Sequence, residues 1–248
     1  MLVRDRRVHL AIALALSLTA GSAAAQVSIP SYGTPVSQDF NTLATAGNSG
    51  LMPPGWAFAE AGNNANATYS AGNGNSNAGE TYSFGSAGSS DRALGTVLAG
   101  NMNLTFGGSF VNNTGGTIEI LNISYVGEQW RLGTQGRADR IDFQYSLNAT
   151  SLSTGTWTDV NTLDFATPNM TAGTGALDGN SAGNFAAVSS AITGLAIANG
   201  ATFWIRWSDF NAQGADDGLG VDDLSVTGQS ALTPTHSSTW GRIKSQYR

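Results

Sequence analysis

The stretch ATFWIRWSDFNAQGADDGLGVDDLSV, residues 201–226, decides the fold class. In its first part Phe203, Ile205 and Trp207 alternate with Trp204 and Arg206. That period of two belongs to a strand with one buried face. Its last part, VDDLSV, alternates again. The DFNAQGADDG run between them is rich in Asp, Asn and Gly, residues that favour turns. Five aspartates (Asp209, Asp216, Asp217, Asp222 and Asp223) fall within fifteen positions here. Alternation puts Asp222 on the face of Leu224 and Val226, so an inward carboxylate is expected. Such a group needs an arginine, backbone donors or a cation. Calcium, which takes about 6–8 oxygen ligands, suits an irregular loop offering Asp209, Asn211, Asp216 and Asp217. The spacing matches no EF-hand. The competing reading of Asp216 and Asp217 is an exposed acidic loop.

Working outward, the same period recurs. TIEILNISYVGEQW (117–130) is expected to turn Ile118, Ile120, Ile123 and Tyr125 inward, with an irregularity near Leu121-Asn122. RIDFQYSL (140–147) groups Ile141, Phe143 and Tyr145, and LTFGGSFV (104–111) and VSQDF (36–40) are further strands. Residues 61–91 are dominated by Gly, Asn and Ser. Period-two aromatics at Tyr82 and Phe84, with Tyr69 before them, favour two short strands joined by turns over a linker. No helical stripe interrupts this body. The expected fold is all-β: one jelly-roll-like antiparallel sandwich over residues 26–228.

The ends differ from the body. Residues 1–25 read as a secretory signal peptide, with Arg4, Arg6 and Arg7, the apolar Leu10–Leu18 and a cleavage site after Ala25. No second apolar stretch follows, so no transmembrane segment is expected after cleavage, and the localisation is secreted or cell-surface. Residues 229–248 read as a linker and a short basic tail, in which Trp240, Ile243 and Tyr247 share one face of a short helix.

Composition removes much chemistry. There is no cysteine, the only histidines are His9 and His236, and the only lysine is Lys244, so residues 26–228 hold none of the three. That excludes Ser-His-Asp and Cys-His catalysis, thiolate or imidazole zinc sites and lysine Schiff bases there. Setting Asp5 aside, sixteen acids face five arginines, so the body repels phosphate backbones and no nucleic-acid partner is expected. Carboxylate chemistry survives: a glycosidase needs two acids about 5–10 Å apart, but nothing in the spacing selects a pair.

YVGEQWRLG (125–133) places charged Glu128 and Arg131 around Trp130. One reading is an ion pair, with Arg131 or Arg206 meeting a carboxylate. The other is a polar ligand groove formed by Glu128, Trp130 and Arg131, with the tryptophan as stacking platform.

Three stretches carry a resemblance: QDFNTL…MPPGW (38–43 and 52–56), GEQWR with DFQYSL, and WSDFN…ADDGLGVDDLSV. Together they resemble a family of secreted bacterial β-sandwich domains found in exported surface proteins with PEP-CTERM sorting tails and beside catalytic domains of extracellular nucleases. The chain itself has no such sorting tail. A looser similarity runs to MAM, cleaved-adhesin and carbohydrate-binding jelly rolls, several of which hold calcium between the first and last strands. That similarity implies Asp39 and Asn41 near Asp222, completing a calcium shell of Asp39, Asn41, Asp209, Asn211 and Asp222. The resulting expectation is a non-catalytic extracellular module contacting glycan, a cell surface or matrix, with calcium as structural cofactor. The alternative is a carboxylate-dependent glycoside hydrolase or an accessory subunit of an extracellular hydrolase. No oligomeric state follows from the sequence.

Overall fold

The computed structural model describes residues 25–231. The expected signal segment and the basic tail beyond residue 231 lie outside the described residues. Sixteen strands form two sheets. The first, sheet A, contains β1 (Val27–Ile29), β4 (Trp56–Ala61), β8 (Asn103–Asn112), β10 (Arg140–Ser146), β11 (Thr158–Asp159), β12 (Phe165–Ala166) and β15 (Thr202–Asp209). The second, sheet B, contains β2 (Val36–Gln38), β3 (Asn48–Ser49), β5 (Tyr69–Gly72), β6 (Glu80–Phe84), β7 (Ala93–Val97), β9 (Ile118–Leu132), β13 (Gly175–Ala176), β14 (Phe185–Ile197) and β16 (Gly218–Gln229). Pairing is antiparallel except for the short β1–β8 and β5–β6 contacts, which are parallel. The only helical element among the described residues is a 3-10 turn at Asn161–Leu163, and no helix there is long and apolar enough to cross a membrane.

The inner faces meet as the alternation requires. β15 sends Phe203, Ile205 and Trp207 inward, and β10 sends Ile141 and Phe143. From sheet B come Leu121, Ile123 and Tyr125 of β9 and Val221, Leu224 and Val226 of β16. Trp207 sits at the centre. It stacks on Phe106 at 5.4 Å and meets the edges of Tyr125 and Phe143 at 5.2 and 5.3 Å. Aromatic rings of this size bury about 150–250 Å² each, at about 25 cal/mol per Å², so this cluster dominates the apolar stabilisation.

Two phase shifts correct the sequence reading. In β9 the core residue is Leu121, not Ile120, which is only half-buried. The pairing of β14 on β9 slips between Thr193 and Ile197, and the inward phase moves with it. In β16 the register on β9 shifts between Asp222 and Ser225, and Asp223 lies in the left-handed region at φ 49°. Val221, Leu224 and Val226 therefore all reach the same core although they differ in parity. Asp222 is buried as expected, at 4% exposure. It does not share the face of Leu224, however: it lies on the outer side of sheet B, opposite Val221.

That outer side carries a second, smaller core of Tyr82, Phe84, Ala93, Val97 and Trp130. Phe84 stacks on Tyr82 at 5.0 Å and on Trp130 at 6.1 Å. The strands expected around Tyr69 and Tyr82–Phe84 are thus β5 and β6, and residues 61–91 are built into the sheet. At Gly179 a Cβ would sit 2.5 Å from the Trp130 ring, so only glycine lets that loop close over it.

Candidate functional site

The trio Glu128, Trp130 and Arg131 is a packed strand end. Trp130 is 1% exposed and donates its indole N–H to Glu128 Oε2 at 2.8 Å. The expected ligand groove with Trp130 as platform is corrected here, because both faces of the ring lie within the second core and its covering loop. Nor does the competing ion pair form among the described residues. Arg131 Nη1 donates to the carbonyls of Gly74 and Asn75, and Arg206 Nε donates to Gln144 Oε1.

The five expected calcium ligands divide between two places. Asp39 and Asn41 follow β2, whose Gln38 pairs with Leu224, just past the Asp222–Asp223 bulge. Asp39 Oδ1 accepts the Asn41 N–H, and Asn41 Oδ1 accepts the Arg92 N–H at 2.8 Å. Phe40 between them has φ 53°; it and Asp223 are the only non-glycine residues with positive φ among those described. Asp222 Oδ1 accepts the Asp223 N–H at 2.7 Å. Burial pushes its carboxyl up to about 8, with Glu128, Asp223 and Asp91 adding repulsion. Burial likewise pushes Glu128 up to about 7, against the Trp130 hydrogen bond.

Asp209 and Asn211 belong elsewhere, at the head of β16. The Asp209 carboxyl feels Asp139, Asp216 and Asp217, and burial drives it well above the usual carboxylate range. Asp216 and Asp217 are 6% and 1% exposed, which overturns the exposed acidic loop. Asp217 Oδ1 accepts the Gly133 N–H at 2.7 Å and Oδ2 accepts the Thr167 hydroxyl at 2.6 Å. Asp139 Oδ2 accepts the Asp217 N–H and pairs with Arg137 at 3.2 Å. The loop carboxylates thus staple three segments together, which is why the sheet tolerates them. Among the described residues no group of three or more His, Cys, Asp or Glu has a metal-holding arrangement.

A groove lies on the outer face of sheet A, where the alternation of β15 turns Trp204, Arg206 and Ser208 outward. It encloses about 510 Å³ beside Glu60, Asn103, Thr105, Ser153, Arg206 and Ser208. Small residues on β4 and β8, among them Ala59 and Thr105, leave its floor low. Arg206 is fixed from three sides: Nε on Gln144, Nη1 on the Leu152 carbonyl, and the guanidinium 3.8 Å from the centre of the half-buried Trp157 ring. Burial lowers its affinity for its proton, but an arginine remains charged at any physiological pH. Glu60 borders the groove only through its backbone: paired with Leu104, it alternates onto the Phe58 side of β4, where Oε1 accepts the Thr81 N–H of sheet B at 2.8 Å and Oε2 the Asn66 N–H at 3.1 Å. The sequence reading set Trp204 and Arg206 opposite the core face of β15. It missed Asn103 and Trp157, which reach this face only through sheet pairing and the 147–157 loop.

No protein-family model and no curated protein matches the chain. Solved structures similar to it include carbohydrate-binding modules and cleaved adhesin domains. The K2 cleaved adhesin domain of Lys-gingipain is 16% identical, with 78% of this chain and 97% of that one aligned at a TM-score of 0.45. TmCBM61, solved with β-1,4-galactotriose, is 10% identical over 70% of this chain and 88% of that one, at a TM-score of 0.35. The CBM22-1–GH10 part of Clostridium thermocellum xylanase 10B, solved with xylohexaose, is 9% identical, covering 81% of this chain and 28% of that one, also at 0.35.

Proposed function

We propose that this chain is a non-catalytic extracellular or cell-surface module that contacts glycan through the outer groove of sheet A. The observation that carries the reading is the make-up of that groove. It has the volume of a small-ligand site, about 300–1,000 Å³. Its arginine is held in place by the fold, as the partners of Arg206 illustrate. Hydroxyl-rich ligands are recognised by guanidinium, amide and hydroxyl groups of this kind, with the Trp157 ring against the guanidinium.

The same groove favours a module over a hydrolase. A glycosidase needs two carboxyls facing across the cleft, and the one acidic residue bordering this one, Glu60, turns its carboxylate to the other side of the sheet. A glycan array probed with the purified protein tests the reading. Binding to at least one glycan class, lost at least tenfold in Arg206→Met and weakened in Trp157→Ala, is the expected result. Absence of binding across the array would overturn it. So would release of reducing ends that stops in Glu60→Gln, which would restore the enzyme alternative.

Calcium remains a second element of the proposal, narrowed to the bulge. Two buried carboxyls, Asp222 and Glu128, meet there with Asp91 and Asp223 nearby, and neither has an arginine or lysine within ion-pair distance among the described residues. A cation would supply the missing countercharge.

A further inference from the structure

The edges of the two sheets are unequal. Sheet B ends in β3 and β13, each of two residues, and carries the three-residue β2 at its margin. Sheet A ends in β1 with three residues, β11 and β12 with two each, and β4 with six, which bears Glu60. Short strands and charges are the usual ways a protein blunts an edge that would otherwise pair with another chain. β14 uses neither. It runs thirteen residues, FAAVSSAITGLAI, without a charge or a proline. It pairs with β9 along one side only. Among the described residues the backbone groups of Phe185–Thr193 find no other backbone partner. The 3-10 turn touches the strand through a side chain, Thr162 Oγ1 to Ser190 Oγ at 2.9 Å, and takes up no backbone group of β14.

We propose that β14 is a self-association edge, joining two copies of this chain by antiparallel strand pairing into one continuous sheet. Length and charge select the occupant. Among the described residues no other edge strand is long enough to cover β14, and the one of intermediate length, β4, carries Glu60, so the matching edge is β14 itself. Pairing an edge with its own copy is isologous and closes at two subunits. The chain carries a net charge of −6, and β14 is a neutral line along which two acidic molecules can meet. A register centred on Ser189 places Phe185 opposite Thr193 and Ala187 opposite Ala191. All five of these residues are exposed, and all but Phe185 are small or β-branched, which suits close strand approach.

Sedimentation equilibrium of the purified protein tests this. The expected result is a dimer that becomes monomeric in Ala187→Lys/Ala191→Lys, with an unchanged circular dichroism spectrum because both positions are exposed. The chain has no cysteine, so Ser189→Cys adds a single thiol. Mild oxidation should link it into dimers in high yield, while Ser90→Cys, exposed on a distant loop, should link only at the rate of random collision. A protein that is monomeric at every concentration overturns the proposal. So does a dimer that survives the lysine pair, or a β14 edge covered by the chain's own C-terminal tail, seen as dimerisation only after deletion of residues 232–248.

Discussion

β16 carries two groups of buried acids, one at its head and one at its bulge, and they are compensated in opposite ways. At the head, Asp217 and Asp139 share Arg137 and receive hydrogen bonds from Gly133, Thr167 and the Asp217 backbone. At the bulge, Asp222 and Glu128 receive one hydrogen bond each, from the Asp223 N–H and the Trp130 indole, and no basic side chain pairs with them among the described residues. Burial is similar, at 1% for Asp217 and 4% for Asp222 and Glu128. The difference is supply of donors. The head draws on three chain segments that converge. The bulge draws on its own strand and its neighbour; burial raises carboxyls at both places, Asp216 at the head to about 6 and Asp222 at the bulge to about 8, and drives Asp209 well above the usual range. An acid-rich stretch in a sheet is therefore not one feature. Its parts are structural or poised according to what the fold brings opposite them.

The strongest way to break the contrast is to remove the cation. Arg137→Met should cost about 3–5 kcal/mol, the usual penalty for stranding one side of a buried ion pair. Urea denaturation at neutral pH measures it. A loss below 1 kcal/mol, roughly the worth of an exposed pair, would show that backbone and hydroxyl donors alone hold Asp139 and Asp217.

Much of the sandwich was legible because burial on one face imposes period two, and Phe203, Ile205 and Trp207 obey it without interruption. What failed was phase. A left-handed Asp223 and a slipped Thr193–Ile197 pairing each reset the alternation; the first has no glycine or proline to mark it, and the second carries Gly194 at φ 74°. The second core was hidden for a related reason. Trp130 looked like an exposed aromatic until Gly179 and the 73–79 loop closed over it. At the head of β16, local composition argued for solvent, whereas Asp217 finds its partners at Gly133 and Thr167, far away in sequence. The groove was half legible: alternation exposes Arg206, but only sheet order brings Thr105 and Asn103 of β8 onto the same face.

The bulge should announce itself through pH. Asp222 is pushed from the ordinary 3.8 up to about 8, and Glu128 from 4.5 to about 7. Within these windows the folded protein holds protons that the unfolded chain has released, so stability falls as pH rises through them. Below both windows each state is protonated, and above them each is ionised and the loss is complete. Asp222→Asn should flatten the decline, stabilising the protein at pH 8 and changing little near about pH 4, close to the free carboxylate value. Calcium sharpens the test. If it binds the bulge it holds both carboxyls ionised, and it should add about 2.7 kcal/mol at a hundredfold excess over its Kd. Chelation would then lower the Tm of the parent and leave Asp222→Asn unmoved. A parent Tm indifferent to chelation and to added calcium would leave the protonated pair as the full account of Asp222.

The smallest expected effect comes from an arginine that resembles Arg137 in every respect but burial. Arg140 Nε lies 2.5 Å from Asp142 Oδ1, closer than Arg137 lies to either of its acids. The two residues are neighbours on one face of β10, and the Arg140 guanidinium also sits 4.0 Å from the centre of the Phe210 ring. Distance alone would rank this pair first. Exposure reverses the order. The two side chains are 44% and 27% exposed, against 17% and 1% for Arg137 and Asp139. Water and salt compete for both charges, and the strand must freeze two side chains to hold them together. Arg140→Met should cost about 0.2–1 kcal/mol, and most of that should vanish in molar salt. The residue left by salt measures the contact with Phe210, about 0.5–1 kcal/mol for an exposed cation over an aromatic face. If Arg140→Met cost as much as Arg137→Met, burial would not be what separates the two, and the reading of the β16 head as a buried staple would fall with it.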